Sequence, residues 1–207
     1  VTWSFALLAA VIHLFTLSKA RSWAFYLSKP LPVICFLVLA ATHSETYPFA
    51  WLIAFGLAFS AIGDVFLMQP KDRFIAGLVS FFIAHVAYGC AFWSLIEGSM
   101  TAWLPAVLFS AGIMVYLLLL PSLGKLKLPV AFYILVIVQM TWAAGAWWLQ
   151  DNSLAAKAAF VGAIVFMVSD LVLAMDRFRS AGRYAQQILM TSYYGAQALI
   201  TYSLVVY

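Results

Sequence analysis

Apolar residues along the chain gather into eight runs, at about 2–17, 29–43, 48–68, 74–96, 102–120, 129–149, 155–175 and 184–206, separated by short clusters that hold most of the charges. Runs of this kind suit helices that cross a hydrocarbon core about 30 Å thick. The pattern therefore predicts an all-α fold: a polytopic transmembrane bundle of about eight helices in one integral membrane domain, 1–207. The second run is short for a span and opens on Lys29-Pro30-Leu31-Pro32, which predicts a tilted or distorted helix. Val1 to Leu17 has no basic region before it and has Lys19 and Arg21 after it, so it reads as a first spanning helix rather than a cleaved signal peptide.

Composition agrees with this pattern. Of the 207 residues, 66% are hydrophobic and 9% charged, far from the mix of a water-soluble domain. The net charge of +4 arises from basic residues beside apolar runs, not from an aromatic-interleaved patch, so no nucleic-acid partner is expected. Lys19, Arg21, Lys29, Lys71, Arg73, Lys125, Lys127, Arg177, Arg179 and Arg183 follow the odd-numbered runs, whereas Lys157 alone lies on the opposite side. Because cytoplasmic loops retain positive charge, this split predicts that both termini lie outside. Cys35 and Cys90 fall within apolar runs and are expected to be small buried hydrophobes.

The two halves, 1–100 and 101–207, echo one another. Gly63-Asp64-Val65-Phe66-Leu67 with Asp72-Arg73-Phe74 matches Ser169-Asp170-Leu171-Val172-Leu173 with Asp176-Arg177-Phe178. Leu31-Pro32-Val33 matches Leu128-Pro129-Val130, and Tyr88-Gly89 and Tyr194-Gly195 lie equally far beyond their aspartates. The echo suggests two parallel four-helix repeats.

Candidate chemistry centres on Asp64 and Asp170. Each lies within an apolar run, seven residues before a basic residue, Lys71 and Arg177 respectively. That spacing predicts matched depth in the cytoplasmic third of the bilayer. A charge deep in a spanning helix costs at least about 2.5 to 3.5 kcal/mol, so such residues usually face the bundle interior and serve a function. Structural glue between helices is the plain alternative. If the two helices are neighbours, both carboxyls cannot easily ionise side by side, and one would hold a proton while the other is charged. His85, Tyr88, Tyr133, Gln139, Ser169, Tyr193, Tyr194 and Gln197 are the other polar residues inside the runs. His85 and Tyr88 share one helical face, as do Tyr194 and Gln197. His13 and His43 have no ligand spacing with His85, so no metal site is expected. No nucleophile elbow surrounds Ser169, and no cofactor-binding loop is present. Lys29, expected at headgroup level, suits either the positive-inside pattern or a lipid phosphate.

Lys29-Pro30, Gly63-Asp64 followed by Phe74, Gly77, Phe81, His85 and Tyr88, then Tyr133, Gly162-Ala163 with Phe166, Ser169-Asp170, Arg177-Phe178 and Gln197 run over nearly the whole chain. In order and spacing they resemble the YhhN-like membrane proteins that include the lysoplasmalogenases. The resemblance implies hydrolysis of the vinyl ether bond of a lysoplasmalogen, giving a fatty aldehyde and glycerophospho-ethanolamine or -choline. Such chemistry needs an acid and a carboxylate, with no nucleophile or metal. It implies Asp64 and Asp170 as the catalytic pair, with Lys29, His85, Tyr88, Tyr133, Ser169, Tyr194 and Gln197 binding a lysophospholipid drawn from the bilayer. A proton-coupled lipid or small-molecule transporter using the same aspartates is the alternative from another class. The compact chain with short loops points to a bacterial plasma (inner) membrane.

Overall fold

In a computed structural model that describes residues 1–17, 23–98, 101–180 and 182–207, every apolar run is helical and no strand occurs among those residues. The helices are α1 (Thr2–Thr16), α2 (Trp23–Ser28), α3 (Leu31–His43), α4 (Phe49–Met68), α5 (Phe74–Trp93), α6 (Trp103–Leu119), α7 (Lys127–Asp151), α8 (Leu154–Phe178) and α9 (Ala185–Val205). Backbone polar groups have no water to turn to in a bilayer, so a continuous helix is the economical way for each run to satisfy them. The chain is a polytopic helical membrane protein. Six helical stretches are long and apolar enough to cross a membrane. α1, at 15 residues, is shorter. α9 is 21 residues long but less apolar, because Gln186, Gln187, Tyr193, Tyr194 and Gln197 are carried on it.

Two expectations need correction. The second span does not begin at residue 29: the stretch Trp23–His43 reads as one candidate span, interrupted where α2 gives way to α3 at Lys29-Pro30. Pro30 and Pro32 cannot donate backbone hydrogen bonds, which breaks the helix there. Lys29 therefore sits inside the bundle, 9% exposed, instead of at its edge. Cys90 faces outward and Cys35 is half-buried; both are free thiols.

The packing order repeats. α1 lies on α3, α3 on α4 and α4 on α5; likewise α6 lies on α7, α7 on α8 and α8 on α9. α5 against α7 and α3 against α9 then join the two halves. Small residues allow the closest approaches. A Cβ on Gly63 of α4 would stand 2.6 Å from the Phe81 ring of α5. On Gly162 of α8 it would stand 3.1 Å from the Ile200 backbone nitrogen of α9.

Chain direction alternates through these contacts, leaving two end faces. One gathers both chain ends and the 44–48 and 152–153 turns: Trp3 meets Tyr202 at 6.3 Å, and Tyr47 and Trp147 meet Tyr207 at 5.1 and 5.9 Å. On that face Asn152, in the left-handed region at φ 51°, ends α7, and the Ser153 hydroxyl caps α8 by accepting from the Ala156 N–H. Segments 69–73, 120–126, 179–180 and 182–184 form the other face, where Asp72 pairs with Arg177 and Arg179 donates to the Leu118 carbonyl at 2.6 Å. Lys71, Arg73, Lys125 and Arg183 lie in those loops, so this is the basic face. Lys19 and Arg21 lie outside the described residues.

Candidate active site

A cavity of about 490 Å³ enters the bundle from the basic face. Pro70, Asp72, Arg73, Asp176, Arg177 and Gln186 rim it. Asp64, Asp170, Lys29 and Ser169 line it deeper in, with Phe81 and Tyr193. Phe81, Phe166 and Tyr193 contact one another at 5.6 to 6.4 Å between ring centres, forming an aromatic block from α5, α8 and α9. Both aspartates thus reach the same cavity on the same side of the bundle, as their spacing to Lys71 and Arg177 predicts.

Their helices, however, are not a closely packed pair; α9 touches both α4 and α8. The two carboxyls face one space from two walls, and each has its own partners. Asp64 accepts from the Tyr193 hydroxyl at 2.8 Å and lies 3.8 Å from the Lys29 ammonium. Its side chain is 3% exposed, so this is a buried ion pair. Asp170 accepts from the Tyr133 hydroxyl at 2.6 Å and lies 3.5 Å from His85 Nε2, all through Oδ2.

The His85 tautomer follows from its other nitrogen. Nδ1 lies 2.6 Å from the Phe81 carbonyl, which can only accept, so Nδ1 carries a hydrogen. A neutral ring then turns a bare Nε2 toward Asp170. For that contact to be a hydrogen bond, the proton must come from Asp170 or reside on a charged His85. Asp64 lies beside the Lys29 amino group, whereas Asp170 lies beside an imidazole nitrogen. The two carboxyls thus differ in their partners.

The remaining expected site residues divide. Tyr133 and His85 meet Asp170 as described, and the Ser169 hydroxyl donates to the Leu189 carbonyl at 3.2 Å beside the cavity. Tyr194 donates to the Lys29 carbonyl at 2.8 Å, steadying the break between α2 and α3. Tyr88 donates to Gln197 Oε1 at 2.8 Å and lies 3.4 Å from the Ser60 hydroxyl. Of the expected binding residues only Lys29 and Ser169 line this cavity; His85, Tyr88, Tyr133, Tyr194 and Gln197 do not. Tyr193, Arg73 and Arg177 were absent from the expected set. Arg177 was visible in a repeated Asp-Arg-Phe and in the family resemblance, without a site role; in the fold its guanidinium stands over the Phe74 ring at 4.8 Å.

These features define a class: a multi-pass membrane protein with a carboxyl-lined cavity open at its basic face. Over residues 24–204 the chain matches the YhhN family. It belongs to that family. A cattle (Bos taurus) relative, "Lysoplasmalogenase TMEM86A", is 35% identical over 201 residues, covering 91% of this chain and 81% of its own. The human "Lysoplasmalogenase TMEM86B" is 34% identical over 183 residues, covering 88% and 76%. "Uncharacterized membrane protein YhhN" of Escherichia coli O157:H7 is 28% identical over 204 residues, covering 98% of each chain. No solved structure matches.

Proposed function

We propose that this protein is a lysoplasmalogenase: it hydrolyses the vinyl ether bond of a lysoplasmalogen to a fatty aldehyde and glycerophospho-ethanolamine or -choline. The named relatives support the reaction class. The observation that carries the mechanism is one cavity with two differently partnered carboxyls, Asp170 beside His85 and Asp64 beside Lys29.

A vinyl ether is hydrolysed by protonating its β-carbon, which leaves an oxocarbenium ion across the α-carbon and the ether oxygen. Asp170 is the acid in this reading, with its proton shared with His85, and the Tyr133 hydroxyl stabilises the carboxylate left behind. Asp64, held ionised by Lys29, opposes the cation and takes a proton from the water that attacks the α-carbon. The hemiacetal so formed collapses to the aldehyde and the glycerol hydroxyl. This is the two-carboxyl logic of glycoside hydrolysis applied to an enol ether. Lys29 and the rim arginines Arg73 and Arg177 supply positive charge for the lipid phosphate. The basic face then looks to the cytoplasm of a bacterial plasma membrane, and the substrate arrives from that leaflet. The repeated packing order and the paired glycines Gly56 and Gly162, each the same distance before its aspartate, favour descent of the halves from one duplicated four-helix unit.

Purified protein assayed for aldehyde release from lysoplasmalogen in detergent tests the reading. A carrier using the same aspartates needs a sealed compartment, whereas hydrolysis does not. Asp64→Asn and Asp170→Asn should each abolish release, with Asp170→Asn staying folded and still binding lysolipid. Wild-type rates in both variants would refute the paired-acid mechanism.

A further inference from the structure

The polar cavity is not the only one that reaches Asp170. A second, of about 290 Å³, lies among α5, α6, α7 and α8, lined by apolar side chains such as Leu78, Val115, Ile134 and Met167. Tyr133 and Asp170 are its polar members, and Phe74, Asp170 and Leu173 line both cavities. Its outer rim carries Met114, 67% exposed, and Val168, 44% exposed, on the surface that faces lipid. Two cavities of opposite character therefore meet at one carboxyl. Asp64 lines only the polar one.

We propose that the apolar cavity holds the hydrocarbon chain of the lysolipid substrate, which enters sideways from the bilayer between α6 and α8 and sets its vinyl ether against Asp170. The inference rests on the hydrolase reading and adds the binding register. A lysoplasmalogen is one apolar tail joined to one polar head, and its reacting double bond is the first pair of tail carbons. An enzyme for that bond must present its acid where an apolar compartment meets a polar one. Asp170 stands at such a boundary. At about 30 Å³ per methylene, close to the share of a water molecule, the cavity holds roughly ten methylenes, and the rest of a longer chain extends into lipid. A bilayer already solvates a tail, so the cavity adds little through apolarity alone. What it supplies is position: the first carbons are held where the acid can reach the β-carbon. The arrangement also places the glycerol and phosphate on the side of Lys29 and Asp64, and gives room for one chain.

The test narrows the cavity from two walls, with Ala111→Phe on α6 and Ala174→Phe on α8, both lining residues. Val107→Phe, 58% exposed on the lipid-facing side of α6, adds the same ring outside the cavity. In lipid nanodiscs, aldehyde release is measured from hexadecenyl and butenyl glycerophosphoethanolamine. The ratio of long-chain to short-chain kcat/KM should fall by about tenfold or more in both lining variants and stay at the wild-type value in Val107→Phe. An unchanged ratio in folded lining variants would overturn the inference. A second readout does not need turnover: an alkyl-ether lysophosphatidylethanolamine with a diazirine midway along its chain should crosslink to α6 and α8 peptides, and lose that label in the lining variants. Labelling confined to other helices would equally overturn it. If wild type released no aldehyde from either substrate, the hydrolase reading would fall while the position of the label still decided where the chain lies.

Discussion

Lys29 and Asp64 should behave as one unit, and a double-mutant cycle measures how far they do. At 3.8 Å, with 11% and 3% of their side chains exposed, the attraction is about 4 kcal/mol at an effective dielectric constant near 20. Removing one partner leaves the other buried and uncompensated, so Lys29→Met and Asp64→Asn should each destabilise by about 3 to 5 kcal/mol. Together they remove both charges, and much of the loss should return, giving a coupling of about 2 to 4 kcal/mol. Unfolding in mixed micelles titrated with denaturing detergent provides the free energies. The double variant should be folded yet inactive, because it lacks the carboxylate that opposes the cation. That combination separates a structural pair from a catalytic one. A coupling within about 0.5 kcal/mol of zero would refute the reasoning, since the two groups would then not sense each other's charge.

Other outcomes follow from single contacts. Asp170→Asn keeps the shape of the side chain but removes the acid, so aldehyde release should fall by about a hundredfold to ten-thousandfold with little change in unfolding temperature. Gly63→Ala would place a methyl 2.6 Å from the Phe81 ring beside Asp64; it should destabilise by about 1 to 3 kcal/mol in the same unfolding titration. On the basic face, Arg177 beside Asp72 holds that carboxyl below its usual range. A depressed carboxyl contributes stability above its unfolded value, near pH 4, and loses it as pH falls through the folded value. The difference in unfolding temperature between wild type and Asp72→Asn should therefore be present at neutral pH and vanish in acid.

The membrane class and the two aspartates were legible because each rests on a rule that acts residue by residue: apolar run length, and the cost of a charge inside such a run. Depth was legible too, because seven residues of helix to Lys71 or Arg177 fix a distance along an axis. Partners were not. Tyr193 and Tyr194 are adjacent, so on a helix they point about a third of a turn apart, and only the packing of α9 decides which one reaches Asp64. The sequence offers both with equal force. Lys29 was placed at headgroup level because a proline after a lysine reads as a helix start; the added turn and a half of α2 moves it inward, within reach of Asp64. The apolar cavity was invisible for a similar reason. Its walls come from α5, α6, α7 and α8, and each wall residue looks like any other apolar residue of a spanning run.

The way the halves share the site explains why matched motifs do not make matched roles. Asp64 lies in the first half and takes its tyrosine, Tyr193, from the second. Asp170 lies in the second half and takes its histidine, His85, from the first. Neither half alone completes either carboxyl, so the assembled bundle is the smallest unit that holds the chemistry. Equivalent positions then diverge in what they offer: α3 is preceded by a lysine at the break with α2, whereas α7 brings Tyr133 and no buried cation to its aspartate. In the proposed mechanism one carboxyl is thereby committed to charge and the other to a shared proton. Under the proposed hydrolysis the bond first gains a proton and then faces a carboxylate; that inequality is what the proposal requires, and two identically furnished aspartates would not meet it.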